Sequence, residues 1–212
     1  MTTAERRANE KARRRQDILT AARQEFFQRG FRAPTVDDVA ARANISKGTI
    51  YLYFESKEEI LAHLLIEGLE LLLAEMDSAC SVPTPTAEQA LRALAHAYLK
   101  FNTSHPNYFR LIMAFDRGRF QESIASELHD QVMHLSLQGL GLVARVIESG
   151  IQTGEFQVQA PWQAAGVVWA ALNGVLVLMA HPLRQRLLET DLDTMFEATL
   201  NLVIQGLKDG TR

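Results

Sequence analysis

Apolar positions recur along most of this 212-residue chain at spacings of three and four, and nowhere do they alternate in twos between turn-forming residues. Spacings of three and four gather side chains on one helix face, whereas a half-buried strand needs period two. The pattern predicts an all-α fold. Ile18, Ala22 and the Phe26–Phe27 pair mark the inner side of a first helix over about residues 13–29, with Gly30 as its stop. Val36, Val39, Ala40 and Ala43 form a second, short face behind Thr35, which can cap it, and Asp38 gives a weak capping box. Asn44 breaks that face where a left-handed residue would turn the chain sharply. Ile45 anchors the chain again and Ser46 can cap the next helix, which keeps Ile50 and Phe54 inward and presents Lys47, Gly48, Thr49, Tyr51 and Tyr53. Ser56 caps a further start, with Glu59 at the spacing of a fuller capping box. That helix continues through Leu64, Leu65, Leu69, Leu72 and Met76, long enough to join one domain rigidly to the next.

Residues 78–89, SACSVPTPTAEQ, interrupt the pattern at Pro83 and Pro85. Thr86 can cap a helix through Leu91, Leu94, Ala95, Tyr98 and Phe101, and Pro106 suits the first position of the next. A longer helix is expected over about residues 122–148, ended by Gly150 and followed by a loop, IQTGEF. An apolar helix starts near Pro161 and stops at His181–Pro182, and a last one covers about residues 187–207.

The apolar segment 163–180 carries no formal charge, so a membrane span has to be considered. It falls short of the roughly 20 apolar residues a span requires, and Gln163 and Asn173 interrupt it. Gly166, Ala170 and Gly174 recur every four residues along it, a stripe that permits close helix approach. The expected reading is a soluble protein, not a membrane one, with this helix buried on several sides, partly against another subunit.

Composition changes the picture little. Apolar residues make up 47% and charged residues 22%, as in ordinary globular proteins. The lone Cys80 permits no intrachain disulfide, and the polar start lacks the apolar core of a signal peptide, which suits the cytoplasm. Catalysis finds no support: there is no Gly-rich phosphate loop, no close cysteine pair and no HExxH spacing, and the six histidines are scattered. No catalytic residue, metal ligand or cofactor is expected.

Charge, by contrast, is segregated. Residues 1–60 carry 12 Lys plus Arg against 9 Asp plus Glu, net +3, while 61–212 carry 10 against 16, net −6. The positive field therefore lies at the end that holds the two short helices, which answers the objection that a pI near 6.1 is low for a DNA binder. Two short helices joined by a tight turn behind an arginine-rich helix are what a helix-turn-helix reader needs. Gly48, Thr49, Tyr51 and Tyr53 are poor helix formers but allow close approach to a groove. The basic run of Arg6, Arg7, Lys11, Arg13, Arg14 and Arg15 can touch backbone phosphates or reach along the adjacent groove. The rival reading is a helical protein-interaction module that uses the same shape for packing alone.

The run RRQDILTAARQEFFQRGFRAPTVDDVAARANISKGTIYLYFESKEEILAHLL resembles the N-terminal DNA-binding domain of the TetR family of transcriptional regulators. The likeness covers its ILTAA start, the aromatic-then-Gly close of the first helix and TIYLYFESKEEI; it departs at Asn44, where the family usually has glycine. The resemblance implies a DNA-binding domain over residues 12–72 and a C-terminal regulatory, ligand-binding and dimerisation domain over 73–212. It implies operator DNA as partner, with Lys47 and Gly48 nearest the base edges. Thr49, Tyr51, Tyr53 and Lys57 would face phosphates, as would amides around Thr35 and Val36. It further implies a homodimer through the last two helices and a repressor released by a small, largely apolar inducer. Phe101, Tyr108, Phe109, Met113, Phe115 and Trp169 are candidate lining for that inducer, with His134 and Asn173 as polar anchors.

Overall fold

The computed structural model describes residues 2–82, 84–115 and 124–210, and every regular element among them is an α-helix. In chain order these are α1 (Thr3–Arg29), α2 (Val36–Arg42), α3 (Lys47–Tyr51), α4 (Lys57–Cys80), α5 (Ala87–Ser104), α6 (Pro106–Phe115), α7 (Ser126–Thr153), α8 (Pro161–Met179), α9 (Pro182–Leu188) and α10 (Leu192–Asp209). The chain divides into two compact units, Met1–Leu69 with Asn107–Met133 and Glu70–Pro106 with His134–Arg212, and the divisions fall inside α4, at the start of α6 and inside α7.

In the first unit most of the expected inner faces are buried, Ile18, Ala22 and Phe26 of α1, Val36, Val39 and Ala40 of α2, Ile50 of α3, Phe54, and Ile60, Leu61, Leu64 and Leu65 of α4, while Phe27 and Ala43 are half-buried. α6 belongs to this unit as well, with Tyr108, Phe109, Leu111 and Phe115 buried. The second unit is built around α8 and α10, which pack along each other and against α5. Ala165, Val168, Leu172, Leu176 and Met179 form the buried row of α8, and Phe196, Leu200, Ile204 and Leu207 that of α10. By length and composition α8 could cross a membrane, but its buried row packs in this unit.

Three boundaries differ from the sequence expectation. α1 starts about three turns earlier, at Thr3, because Thr2 and Glu5 exchange both bonds of a capping box and the intervening residues are polar helix formers. Gly150 does not end α7. It lies inside the helix, where the absence of a Cβ is what the packing needs, since one would stand 2.2 Å from Phe156 and 2.9 Å from Ala87, and the chain turns at Gly154 instead, with φ +78°. The last helix begins at Leu192, where Asp191 accepts from the Thr194 amide, and the short α9 occupies the expected stop after His181–Pro182. Pro83 and the expected helix start at Glu122 lie outside the described residues.

Candidate nucleic-acid interface

The two short helices are fixed to α1 by a buried carboxylate. Glu25 accepts from Arg29 Nη1 at 2.5 Å and from Arg42 Nε, at the end of α2, at 2.6 Å. These two guanidinium groups hold its carboxyl below the usual range. Arg29 also reaches Asp38 at 2.8 Å. Asp38 completes the capping box of α2, accepting from the Thr35 amide and hydroxyl while its own amide donates to Thr35 Oγ1. The Thr35 hydroxyl, then Arg29, keep the Asp38 carboxyl far below its ordinary value. One acidic residue thus closes the helix start and ties it to α1.

Asn44 takes the left-handed conformation the turn requires, φ 53°, and the Asn44 and Ile45 amides donate back to Ala41 and Ala40. Ser46 then caps α3 by accepting from the Thr49 amide at 3.1 Å, and the Ser46 and Thr49 hydroxyls share a hydrogen bond. With Ile50 and Phe54 buried, the opposite side of α3 faces out: Lys47, Gly48, Tyr51 and Leu52 are exposed, Thr49 and Tyr53 half-buried. Nothing but Ser46 Oγ, 3.8 Å away, stands near where a Gly48 side chain would begin, so a backbone or base edge can approach closely there.

The structure adds detail to three of these positions. Lys47 Nζ donates to Asp37 Oδ2 at 2.8 Å, both side chains exposed, and Asp37 raises its pKa. Lys57 is half-buried; its ammonium donates to the Arg32 carbonyl and stands 5.7 Å from the centre of the Phe26 ring, and burial lowers its pKa. The Val36 side chain is buried, so this residue offers the outside its backbone only. Leu52, 76% exposed beside Tyr51, was not among the sequence candidates. Its signal was available: it lies midway between the inward Ile50 and Phe54, on the opposite side of the chain.

The eight aromatic and polar candidates for an inducer are divided between the units. Tyr108, Phe109 and Phe115 are buried and Met113 half-buried in the first. In the second, Phe101 is fully buried and Asn173 accepts from the Tyr98 hydroxyl, while His134 and Trp169 are exposed and His134 meets Gln138. A cleft of about 420 Å³ in the second unit, with Cys80, Thr86, Leu142 and Arg145 among its walls, includes none of the eight. Among the described residues, no group of three or more His, Cys, Asp or Glu side chains is placed to hold a metal ion.

Comparison with known proteins matches residues 18–64 to the bacterial regulatory proteins of the tetR family and residues 91–203 to the tetracyclin repressor-like C-terminal domain. The chain is 32% identical over 155 residues to the uncharacterized HTH-type transcriptional regulator YhgD of Bacillus subtilis, across 73% of this chain and 78% of that protein. It is 26% identical over 197 residues to the HTH-type transcriptional repressor KstR2 of Rhodococcus jostii, across 93% and 92%. Among solved structures, the transcriptional regulator FadR of Bacillus subtilis in complex with stearoyl-CoA shares the fold, with a TM-score of 0.65 at 21% identity over 90% of this chain and 98% of that one.

Proposed function

This chain belongs to the tetR family of bacterial regulatory proteins, and on that premise we propose that it is a repressor that binds a palindromic operator as a homodimer and leaves it when a small, largely apolar inducer binds. As a member of this family it is a DNA-binding transcriptional regulator and not an enzyme. It works in the cytoplasm, where its operator is. The observation that carries the operator reading is the outer side of α3, where Lys47 and Gly48 start a capped helix whose inner side is buried.

Lys47 donates to guanine O6 or N7, Gly48 admits the base edge, and Leu52 offers an apolar contact suited to a thymine methyl. Thr49, Tyr51 and Tyr53 hold phosphates with the amide at Val36, and Lys57 and the Thr35 amide join them by leaving the Arg32 carbonyl and Asp38. Residues 12–72 supply this head, and 73–212 supply dimerisation and effector binding.

Dimerisation uses the outer sides of α8 and α10. Ala170 and Gly174 are exposed, and a Cβ at Gly166, Gly174 or Gly206 would meet nothing within 4 Å, so this stripe is free for a second copy to approach. Val167 and Leu202, 61% and 76% exposed, flank it with apolar surface. A symmetric pair places two reading helices on half-sites about 34–36 Å apart, or a multiple of that. Sedimentation of Gly174→Leu tests the interface: monomers support it, and an intact dimer moves the interface elsewhere.

The inducer reading draws on the match of residues 91–203 to a tetracyclin repressor-like C-terminal domain, with Phe101, His134, Trp169 and Asn173 as candidates in one unit and Tyr108, Phe109, Met113 and Phe115 in the other. The whole function is tested by selecting duplexes from a random pool with the full chain, then challenging the complex with apolar compounds, stearoyl-CoA among them. Release of a palindrome supports the repressor. Failure to enrich any duplex favours the interaction-module alternative.

A further inference from the structure

Ahead of its first buried side chain, Ile18, α1 runs as a free helix in which every residue from Thr3 to Arg14 is exposed. At 1.5 Å per residue this arm is about 18 Å long. It is closed at its start by the Thr2–Glu5 capping box. Arg6, Arg7, Lys11, Arg13 and Arg14 occupy one half of its circumference at 100° per residue, interrupted by Thr3 and Glu10, while Glu5, Ala8, Asn9 and Ala12 lie on the other. Among the described residues none of these five cations takes part in an ion pair, although Arg23, Arg29 and Arg42 further along the same unit all do. Like charges four apart, as at Arg7 and Lys11, weaken an isolated helix. The root of the arm is fixed: Arg15 is hydrogen-bonded to His63 of α4, and its guanidinium stands 5.0 Å from the ring centre of Phe54, just beyond the reading helix.

We infer that this one-sided basic arm is a second DNA-binding element, which lies along the phosphates of the duplex flanking each half-site and binds them without regard to sequence. It rests on the operator reading above. An arm of about 18 Å spans about five base pairs of duplex. Free cations on a root held beside α3 suit an anionic surface continuous with the one α3 reads, which favours flanking duplex over a separate acidic partner or a membrane.

The test uses duplexes enriched by the full-length chain, trimmed to the selected half-sites or extended by ten base pairs on each side. Affinity is measured from 50 to 300 mM KCl. The wild type should bind the extended duplex about tenfold more tightly at the low end, with a salt slope steeper by several units per dimer, since each phosphate contact contributes about 0.9. The variant R6Q/R7Q/K11Q/R13Q/R14Q should lose that gain while keeping the wild-type urea midpoint. The charge-preserving variant R6K/R7K/R13K/R14K should retain it. Equal affinity of the wild type for trimmed and extended duplexes overturns the inference, as does an undiminished gain in the glutamine variant. Enrichment of no duplex at all removes the operator reading and this inference together, a result distinct from either of those.

Discussion

The Tyr108 hydroxyl donates to Glu67 Oε1 at 2.7 Å, on a carboxylate that Arg23 Nη2 already holds through both oxygens at the same distance. The bond ties α6 to α4, and Arg23 brings in α1. The Tyr108 ring stands edge-on to Phe27, centroids 4.9 Å apart, and only a glycine at position 68 lets it in, because an added Cβ would lie 2.8 Å from the ring. Burial, then the Glu67 carboxylate, pushes the Tyr108 hydroxyl well above its ordinary range, so it remains a donor at any working pH. α6 follows the helix that opens the C-terminal half of the chain, yet it packs on the bundle that carries α3.

Tyr108→Phe should therefore destabilise the protein by about 1.5–3 kcal/mol, the worth of a hydrogen bond to a charged acceptor, with no change in ring packing. Urea unfolding measures it. An unchanged midpoint would mean that water replaces the hydroxyl at Glu67.

Gly150→Ala should cost about 1–3 kcal/mol, because the added methyl meets Phe156 and Ala87 inside a packed unit and α7 has to shift to admit it. Thermal unfolding beside Gly141→Ala, in the same helix, where the methyl comes no closer than 3.5 Å to any neighbour, separates crowding from helix propensity. Equal effects at the two positions would refute the close-approach explanation.

The helix-turn-helix was legible because its information is local. Thr35, Ser46, Ser56 and Thr86 each cap a helix within three residues, and the buried positions of α2, α3 and α4 follow the expected spacing. The start of α1 was not legible from apolar periodicity, since the first three turns bury nothing and only the Thr2–Glu5 exchange marks the beginning. Gly150 resembled a stop because the partner that requires a glycine, Phe156, lies across a turn and declares itself only once the chain is folded. Lys47 and Lys57 looked alike as exposed donors, yet one stands on Asp37 outside and the other on Arg32 and Phe26 inside. The aromatic set could be named from composition, but side-chain type does not tell which face a residue takes. Trp169 is 45% exposed on the strongly apolar α8, and Phe101 fully buried on the more polar α5.

Stability should fall as pH drops from 6.5 towards 4. Burial, then the Arg15 charge, brings the His63 pKa down from 6.5 to about 4. At neutral pH the ring is uncharged and accepts from Arg15, with Glu59 3.7 Å away. Between those two values the unfolded chain binds more protons than the folded one, so this contribution is complete above pH 6.5 and lost across the window. The group is partly exposed, which reduces the effect to about 1 kcal/mol after solvent screening. His63→Gln should flatten the urea midpoint between pH 7 and pH 5 relative to the wild type. Parallel profiles for the two proteins would assign the slope to carboxylates instead.

Lys47 faces a competitor for its charge. In the free protein its ammonium sits on Asp37, so the proposed donation to a guanine edge would require that pair to open, and the exposed Asp37 carboxylate beside it would repel a DNA backbone. Both side chains are exposed, and an exposed pair of this kind is worth little in water. The protein should therefore give it up readily on DNA. Lys47→Ala should weaken binding to a selected operator by roughly tenfold or more and relax discrimination at one base pair in each half-site. Asp37→Asn should act in the opposite direction, tightening binding to every duplex, most at low salt, because it removes repulsion without removing the reader. In the double variant the gain from Asp37→Asn should persist on mismatched duplexes, while the preference for the matched one stays lost. Anisotropy titrations of the three variants on matched and mismatched duplexes decide between the roles. Uniform losses on all duplexes for Lys47→Ala would place this lysine among the phosphate contacts and leave base reading to Leu52 and the backbone at Gly48.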